Sequence, residues 1–193
     1  TSKMSKSATS MSGVVELLPQ QAFVGNFINP ETPYRGLLLF HGVGSGKSCG
    51  AITIAEKFKP MVQKYGTKIH VLVSGPLLKD YWKDELLKCT GETYIKQENA
   101  SIYMNDIEKQ KAKKIALNAA MQYYRFMSYR SFYKKVLGEK IRTSDKEDEG
   151  KRKAKYRKTV EGEFERDVAI DRIYSLNNTL IIIDEAHNLT GND

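Results

Sequence analysis

The stretch GLLLFHGVGSGKS, residues 36–48, constrains this chain more than any other. Leu37, Leu38, Leu39 and Phe40 form an apolar run too short for a helix and bounded by Gly36 and Gly42, which predicts a buried strand. Gly42, Gly44 and Gly46 then let the backbone curl with its N–H groups inward, and such a loop feeding a helix N-terminus suits an anionic phosphate. Lys47 is placed to reach the outer phosphates and the Ser48 hydroxyl to hold a magnesium ion. His41 breaks the strict G-x-x-x-x-G-K-[ST] pattern at its first position, while Gly44-Ser45-Gly46-Lys47-Ser48 is intact. The plain alternative is an ordinary glycine-rich turn; Lys-Ser directly after a predicted strand weighs against it. The expected nucleotide cradle is therefore His41, Gly42, Val43, Gly44, Ser45, Gly46, Lys47, Ser48 and Cys49.

The chain has 193 residues, 40% of them apolar, which suits one domain with a real core. No apolar run approaches a membrane span and no basic-then-apolar leader is present, so neither a membrane nor export is expected. A net charge of +8 favours an acidic partner, nucleic acid first; a basic surface with no partner fits the same number. Cys49 and Cys89 lie far apart with no metal-ligand spacing and read as reduced thiols of an intracellular protein. The first residue is Thr1, so a cut or processed piece of something longer is expected.

Residues 1–12 are small and polar with scattered lysine, and a flexible tail is expected over 1–17. Pro19 opens a helix with Phe23, Phe27 and Ile28 on one face. The Gln21 amide can both donate and accept, matching an adenine edge, although a solvated glutamine is the commoner reading for it and for Gln20. After Ser48 a helical pattern carries Ile52, Ile54, Ala55 and Phe58, with Pro60 marking a kink or an end. Ile69–Ser74 reads as a second strand, stopped by Gly75 and Pro76, and the next helix carries Leu78, Trp82, Leu86 and Cys89. A helix that starts just past a strand's carboxyl end lies where parallel α/β sheets bind ligands, although a solvated face is the better reading for Lys79 and Lys83 on residues alone. Residues 91–105 read as a loop or edge hairpin, 106–122 as a helix, 123–129 as a third strand and 130–137 as a short helix. Residues 138–160 are a charge-dense insertion; its KRKAKYRK could touch nucleic acid, but a solvated loop is preferred. GEFERDVAIDRIYSL predicts a further helix with Phe164, Val168, Ile170 and Ile173 inward.

The second strong signal is TLIIIDEAH, residues 179–187. Leu180–Ile183 is a fully apolar run, as in a strand buried on both faces. It ends in Asp184 and Glu185, and adjacent carboxylates there are costly unless a cation or hydrogen bonds meet them. A nucleotide-bound magnesium is such a cation, with Asp184 as its ligand and Glu185 as the base for an attacking water. His187 either couples the site to a neighbouring element or is a structural histidine.

Taken together, HGVGSGKS and IIIDEAHN resemble motifs I and II of superfamily 2 helicases in the DEAH form, whose shorter G-x-G-K-[ST] core tolerates His41. Residues 18–48, and intermittently the rest, are similar to the helicase-like ATPases of nucleocytoplasmic large DNA viruses, a group that includes poxvirus early transcription factor and mimivirus-like helicases. LVSGPLLKDYWKDEL is similar to motif Ia, which implies nucleic-acid contacts at Gly75, Pro76 and Lys79; RFMSYRSF is similar to the Thr-Tyr strand motif, with Ser128 for threonine; Gln21 falls on the adenine-sensing glutamine. The resemblance implies an α/β, RecA-like P-loop NTPase domain over 18–193, a parallel sheet flanked by helices that stops after motif II, using ATP and Mg2+. It further implies a partner RecA-like domain supplying an arginine finger, nucleic acid (DNA before RNA) as substrate, a viral RNA polymerase as partner, and a place in the virion and host cytoplasm. The competing expectations are a nucleic-acid-binding virion component with a vestigial nucleotide site and another P-loop NTPase such as a kinase.

Overall fold

A computed structural model of the chain describes residues 17–40, 42, 44–94, 106–137, 156–158, 164–166 and 172–189. Its organising element is β1 (Ile69–Val73), the centre of a sheet in the order β2–β1–β5, with β2 at Tyr124–Ser128 and β5 at Leu180–Ile183. The three strands run parallel. β1 and β5 are in register from Ile69 opposite Leu180 to Leu72 opposite Ile183. A strand with neighbours on both edges and helices over its faces has nowhere to meet water, and all five residues of β1 are buried.

The helices follow from their punctuation. α1 (Pro19–Phe27) starts with proline at its first position. α2 (Lys47–Tyr65) runs between two left-handed glycines, Gly46 at φ +78° and Gly66 at φ +64°, and carries Pro60 inside it. α3 (Pro76–Thr90) leaves the end of β1, and α4 (Asp106–Ala120) puts Asp106 and Glu108 in its first turn, where the helix dipole favours them. Their apolar faces close on β1: Ile52, Ala55 and Val62 of α2, Trp82, Leu86 and Cys89 of α3, and Ala116 and Ala120 of α4 share one cluster with Ile69, Val71 and Val73. Each large aliphatic side chain sunk there contributes roughly 1.5–3 kcal/mol. A smaller cluster of Val24, Ile28 and Ile54, with Leu180 against it, seats α1 on α2. The approach is close: a Cβ on Gly25 would stand 2.9 Å from Thr53 Cγ2.

A half-buried carboxylate borders this packing. Glu56 of α2 accepts hydrogen bonds from the hydroxyls of Tyr94 (2.7 Å) and Tyr124 (2.6 Å) and from Lys59 Nζ (2.8 Å). Burial and the adjacent carboxylate push both tyrosine hydroxyls well above their ordinary range.

The chain divides into two units, residues 1–126 with 178–193, and residues 127–177. In the second, α5 (Tyr129–Leu137) is capped by Ser128, whose Oγ accepts the N–H of Ser131 at 3.2 Å. The Ile173 N–H donates to the Lys135 carbonyl at 3.0 Å, and β3 (Tyr156–Lys158) pairs antiparallel with β4 (Phe164–Arg166).

Several sequence expectations change. Leu37–Phe40 belongs to neither sheet, and Leu38 and Phe40 are 76% and 92% exposed, because no described strand offers them a ladder. Phe164–Arg166 is a strand rather than part of a helix, paired with a second strand inside the charge-dense segment. β5 is half-buried rather than enclosed on both faces, since among the described strands it has a neighbour on one edge only, and Ile183 is exposed. Phe23 points to solvent, while Gln21, Val24 and Gly25 form the buried side of α1. Cys49 and Cys89 are a disulfide, Cα–Cα 5.4 Å, not two thiols: 40 residues of separation hid their meeting across α2 and α3. The N-terminal tail to residue 16, residues 95–105 and 138–155, and Val168 and Ile170 of the expected last helix lie outside the described residues.

Candidate nucleotide site

The first half of the site gathers at the N-terminus of α2. Gly44 (φ +76°) and Gly46 (φ +78°) both take the left-handed conformation that a side chain resists, and Ser45 Oγ donates to the Gly42 carbonyl at 2.8 Å, closing the loop. Lys47 and Ser48 are the first two helical residues, both half-buried. There the unpaired N–H groups and the positive end of the helix dipole favour an anion. His41 and Val43 lie outside the described residues.

Gln21 is the residue whose surroundings most changed its reading. It is buried to 7% exposure rather than solvated, whereas Gln20 is exposed. Its Nε2 donates to the Gly46 carbonyl at 3.3 Å and its Oε1 accepts the Leu18 N–H at 3.0 Å, so the amide is oriented from both ends. A Cβ on Gly46 would come within 2.7 Å of Gln21 Nε2, so only glycine lets the amide sit against the loop. Gln21, Val24, Leu39, Ser45, Gly46 and Gly50 line a shallow cleft here.

The second half lies at the carboxyl edge of the sheet. Asp184 N–H donates to the Leu72 carbonyl at 3.0 Å, extending the β1–β5 ladder by one residue. Its Oδ2 accepts the indole N–H of Trp82 at 2.8 Å. The sequence presented Trp82 only as a core residue; the one clue was that a buried indole N–H demands an acceptor. Glu185 sits at φ +51°, an uncommon conformation for a residue with a side chain, and turns the chain into a short 3-10 turn, Ala186–Leu189. Its carboxylate is exposed, with Oε2 3.3 Å from His187 Nδ1, so the histidine's described contact is with the acid itself. Gly75 (the N-cap of α3), Pro76 and Lys79 occupy the same sheet edge, where Lys79 N–H bonds the Gly75 carbonyl at 3.3 Å.

α3 is bonded to both halves. Trp82 holds Asp184, and seven residues on, roughly 10 Å along the helix, Cys89 holds Cys49 of α2. Cys49, Glu85 and Cys89 bring their donor atoms within 4.8 Å of one another, but with both sulfurs in a disulfide the set offers a metal one carboxylate and no thiolate.

The family of the type III restriction enzyme res subunit matches residues 15–193. The chain belongs to that helicase-related family. Its fold is the RecA-like one the motifs imply. A protein of Acanthamoeba polyphaga mimivirus, named as a candidate ATP-dependent RNA helicase, is 63% identical over 182 residues, 93% of this chain and 16% of the relative. A candidate helicase of Invertebrate iridescent virus 3 is 30% identical over 90% of the chain and 15% of the relative. An early transcription factor large subunit homologue of African swine fever virus is 52% identical over 44 residues, 23% of the chain and 4% of the relative. The chain thus spans about a sixth of the first two relatives. No solved structure matches it. No described helix is long and apolar enough to cross a membrane.

Proposed function

We propose that this chain is the ATP-binding domain of a viral helicase or translocase that couples ATP hydrolysis to movement on nucleic acid. The observation that carries the reading is the contact between Gln21 and Gly46: a buried, doubly oriented amide set directly against a phosphate-type loop. One side of such an arrangement reads a base and the other receives phosphates. Family membership supports the same reading.

In this reading Lys47 and the amides at the start of α2 neutralise the phosphates. The donor set fits a magnesium ion: the Ser48 hydroxyl and the Asp184 carboxylate are hard oxygen ligands, and Trp82 fixes the carboxylate's orientation. The ion, when bound, screens the β- and γ-phosphate charge. Glu185 accepts the proton of the attacking water, and His187 beside it positions that carboxylate. Turnover by the 193 residues alone is slow, because a second RecA-like domain supplies the arginine that stabilises the transition state, an effect worth roughly a thousandfold or more. Gly75, Pro76 and Lys79 contact the nucleic-acid backbone. The names of the mimivirus and African swine fever virus relatives favour a role in RNA metabolism or transcription over the DNA-before-RNA order that the family resemblance implied.

Titration with Mg·ATP decides the matter. Binding by the wild-type chain, weakened roughly ten- to hundredfold in Lys47→Ala as one charge-assisted contact is lost, supports the proposal. No binding by the wild type favours a vestigial site instead. Rapid hydrolysis without any second domain contradicts the division of labour.

A further inference from the structure

We infer that Cys49 and Cys89 form a reversible thiol–disulfide site that sets the nucleotide affinity of the loop next to it, an inference that rests on the nucleotide reading above. Cys49 follows Ser48 directly and lies in the first turn of α2; Cys89 lies in the last turn of α3. Their Cα atoms are 5.4 Å apart, within the span a disulfide requires. The cross-link ties the turn that carries Lys47 and Ser48 to the helix whose Trp82 orients Asp184. One bond thus restrains both halves of the candidate site, which no other described covalent link does.

The two sulfurs differ in a way that suits exchange. Cys89 is 7% exposed, whereas Cys49 is half-buried at a helix N-terminus, where the dipole favours a thiolate. Cys49 is therefore the attacking sulfur. Its thiolate displaces one thiolate from a low-molecular-weight disulfide such as oxidised glutathione, forming a mixed disulfide. Cys89, losing its proton, then attacks Cys49 Sγ and expels the second thiolate. The two protein thiols are oxidised to one disulfide and the small disulfide is reduced to two thiols, so electrons balance with no further reactant. In a reducing compartment such a bond is transient, as a switch requires. The oxidised state holds the first turn of α2 against α3. When that turn cannot shift to meet the phosphates, about one charge-assisted contact is forfeited, roughly tenfold in affinity.

The test uses the 193-residue chain, reduced with dithiothreitol or oxidised with oxidised glutathione, beside Cys89→Ser treated identically. Intact mass and peptide mapping read the bond; titration with a fluorescent ATP analogue and magnesium reads affinity. The expected result is a Cys49–Cys89 disulfide after oxidation, with affinity about tenfold weaker than in the reduced chain and restored by dithiothreitol, while Cys89→Ser stops at a glutathione adduct on Cys49 that intact mass reads. Equal affinities in the two states of the wild type, or no intramolecular disulfide, overturn the inference while leaving the nucleotide reading standing if the reduced chain binds. Absence of binding in either state removes both.

Discussion

Glu56 is the sharpest place to test the packing that positions the site. Its Oε1 accepts two tyrosine hydroxyls at 2.7 and 2.6 Å, and its Oε2 takes Lys59 Nζ at 2.8 Å. Tyr94 and Tyr124 are 8% and 2% exposed, so neither hydroxyl has ready recourse to water if the carboxylate goes. Glu56→Ala strands two buried donors at about 1–3 kcal/mol each. Lys59 counts for less: it is partly exposed, also bonds the Tyr94 hydroxyl at 3.1 Å and lies 4.4 Å from that ring's centre, so its loss stays near the ~0–1 kcal/mol of a surface pair. The sum is about 4 kcal/mol, a large share of the ~5–15 kcal/mol that holds a domain of this kind.

Urea unfolding followed by Trp82 fluorescence measures it. Glu56→Gln keeps one acceptor oxygen but loses the charge, and is expected to fall between the wild type and alanine, giving a readout even if the alanine variant is too unstable to purify. Tyr94→Phe and Tyr124→Phe, each made alone, cost about 1 kcal/mol. In Glu56→Leu combined with both phenylalanines no polar group is left stranded, so that variant recovers much of the loss. An alanine variant within about 1 kcal/mol of wild type would mean that water already serves these hydroxyls, and the argument fails. The tyrosines give a second check. Their ionisation is pushed up by burial and by Glu56, so the stability they contribute is present below pH 10 and declines as pH rises beyond it. Absorbance titration is therefore expected to show two tyrosines that ionise only on unfolding.

The other predictions are briefer. His70, buried in β1, is lowered from 6.5 to about 4 by burial first and by the Arg125 charge second, so the unfolded chain takes up its proton before the folded one does. Stability is expected to fall between pH 6.5 and 4 by up to roughly 3 kcal/mol, and His70→Leu should flatten that slope in acid denaturation. Gly46→Ala puts a Cβ 2.7 Å from Gln21 Nε2 at φ +78°, so a loss of roughly 1–2 kcal/mol should accompany weaker nucleotide binding; unchanged binding would separate Gln21 from the site. Trp82→Phe keeps the core ring but removes the donor to Asp184, and should raise the magnesium concentration needed for ATP binding while changing metal-free binding little. Equal magnesium dependence in the two proteins would deny Trp82 any part in orienting the acid.

What the sequence disclosed and what it withheld divide along one physical line. Periodicity and punctuation are local, so α1 from Pro19, α3 from Pro76 and β1 between Lys68 and Ser74 were all legible. The candidate loop and acid pair stand out for the same reason, since phosphate and metal chemistry would demand particular residues at short spacing. Long-range contact left no such trace. Cys49 and Cys89, Trp82 and Asp184, Gln21 and Gly46, and Glu56 with Tyr124 are separated by 40, 102, 25 and 68 positions. Each pair carries chemical demands that burial obliges it to meet, a thiol, an indole N–H, an amide or a carboxylate, but nothing local names the partner. The Leu37–Phe40 run shows the converse, because four apolar residues promise a strand only if a neighbour supplies the ladder, and the described sheet holds just β2, β1 and β5. A chemical motif can be recognised without its surroundings, but the residues that orient it are found only when the fold brings their partners near; Trp82 and the disulfide are therefore where this site is most open to experiment.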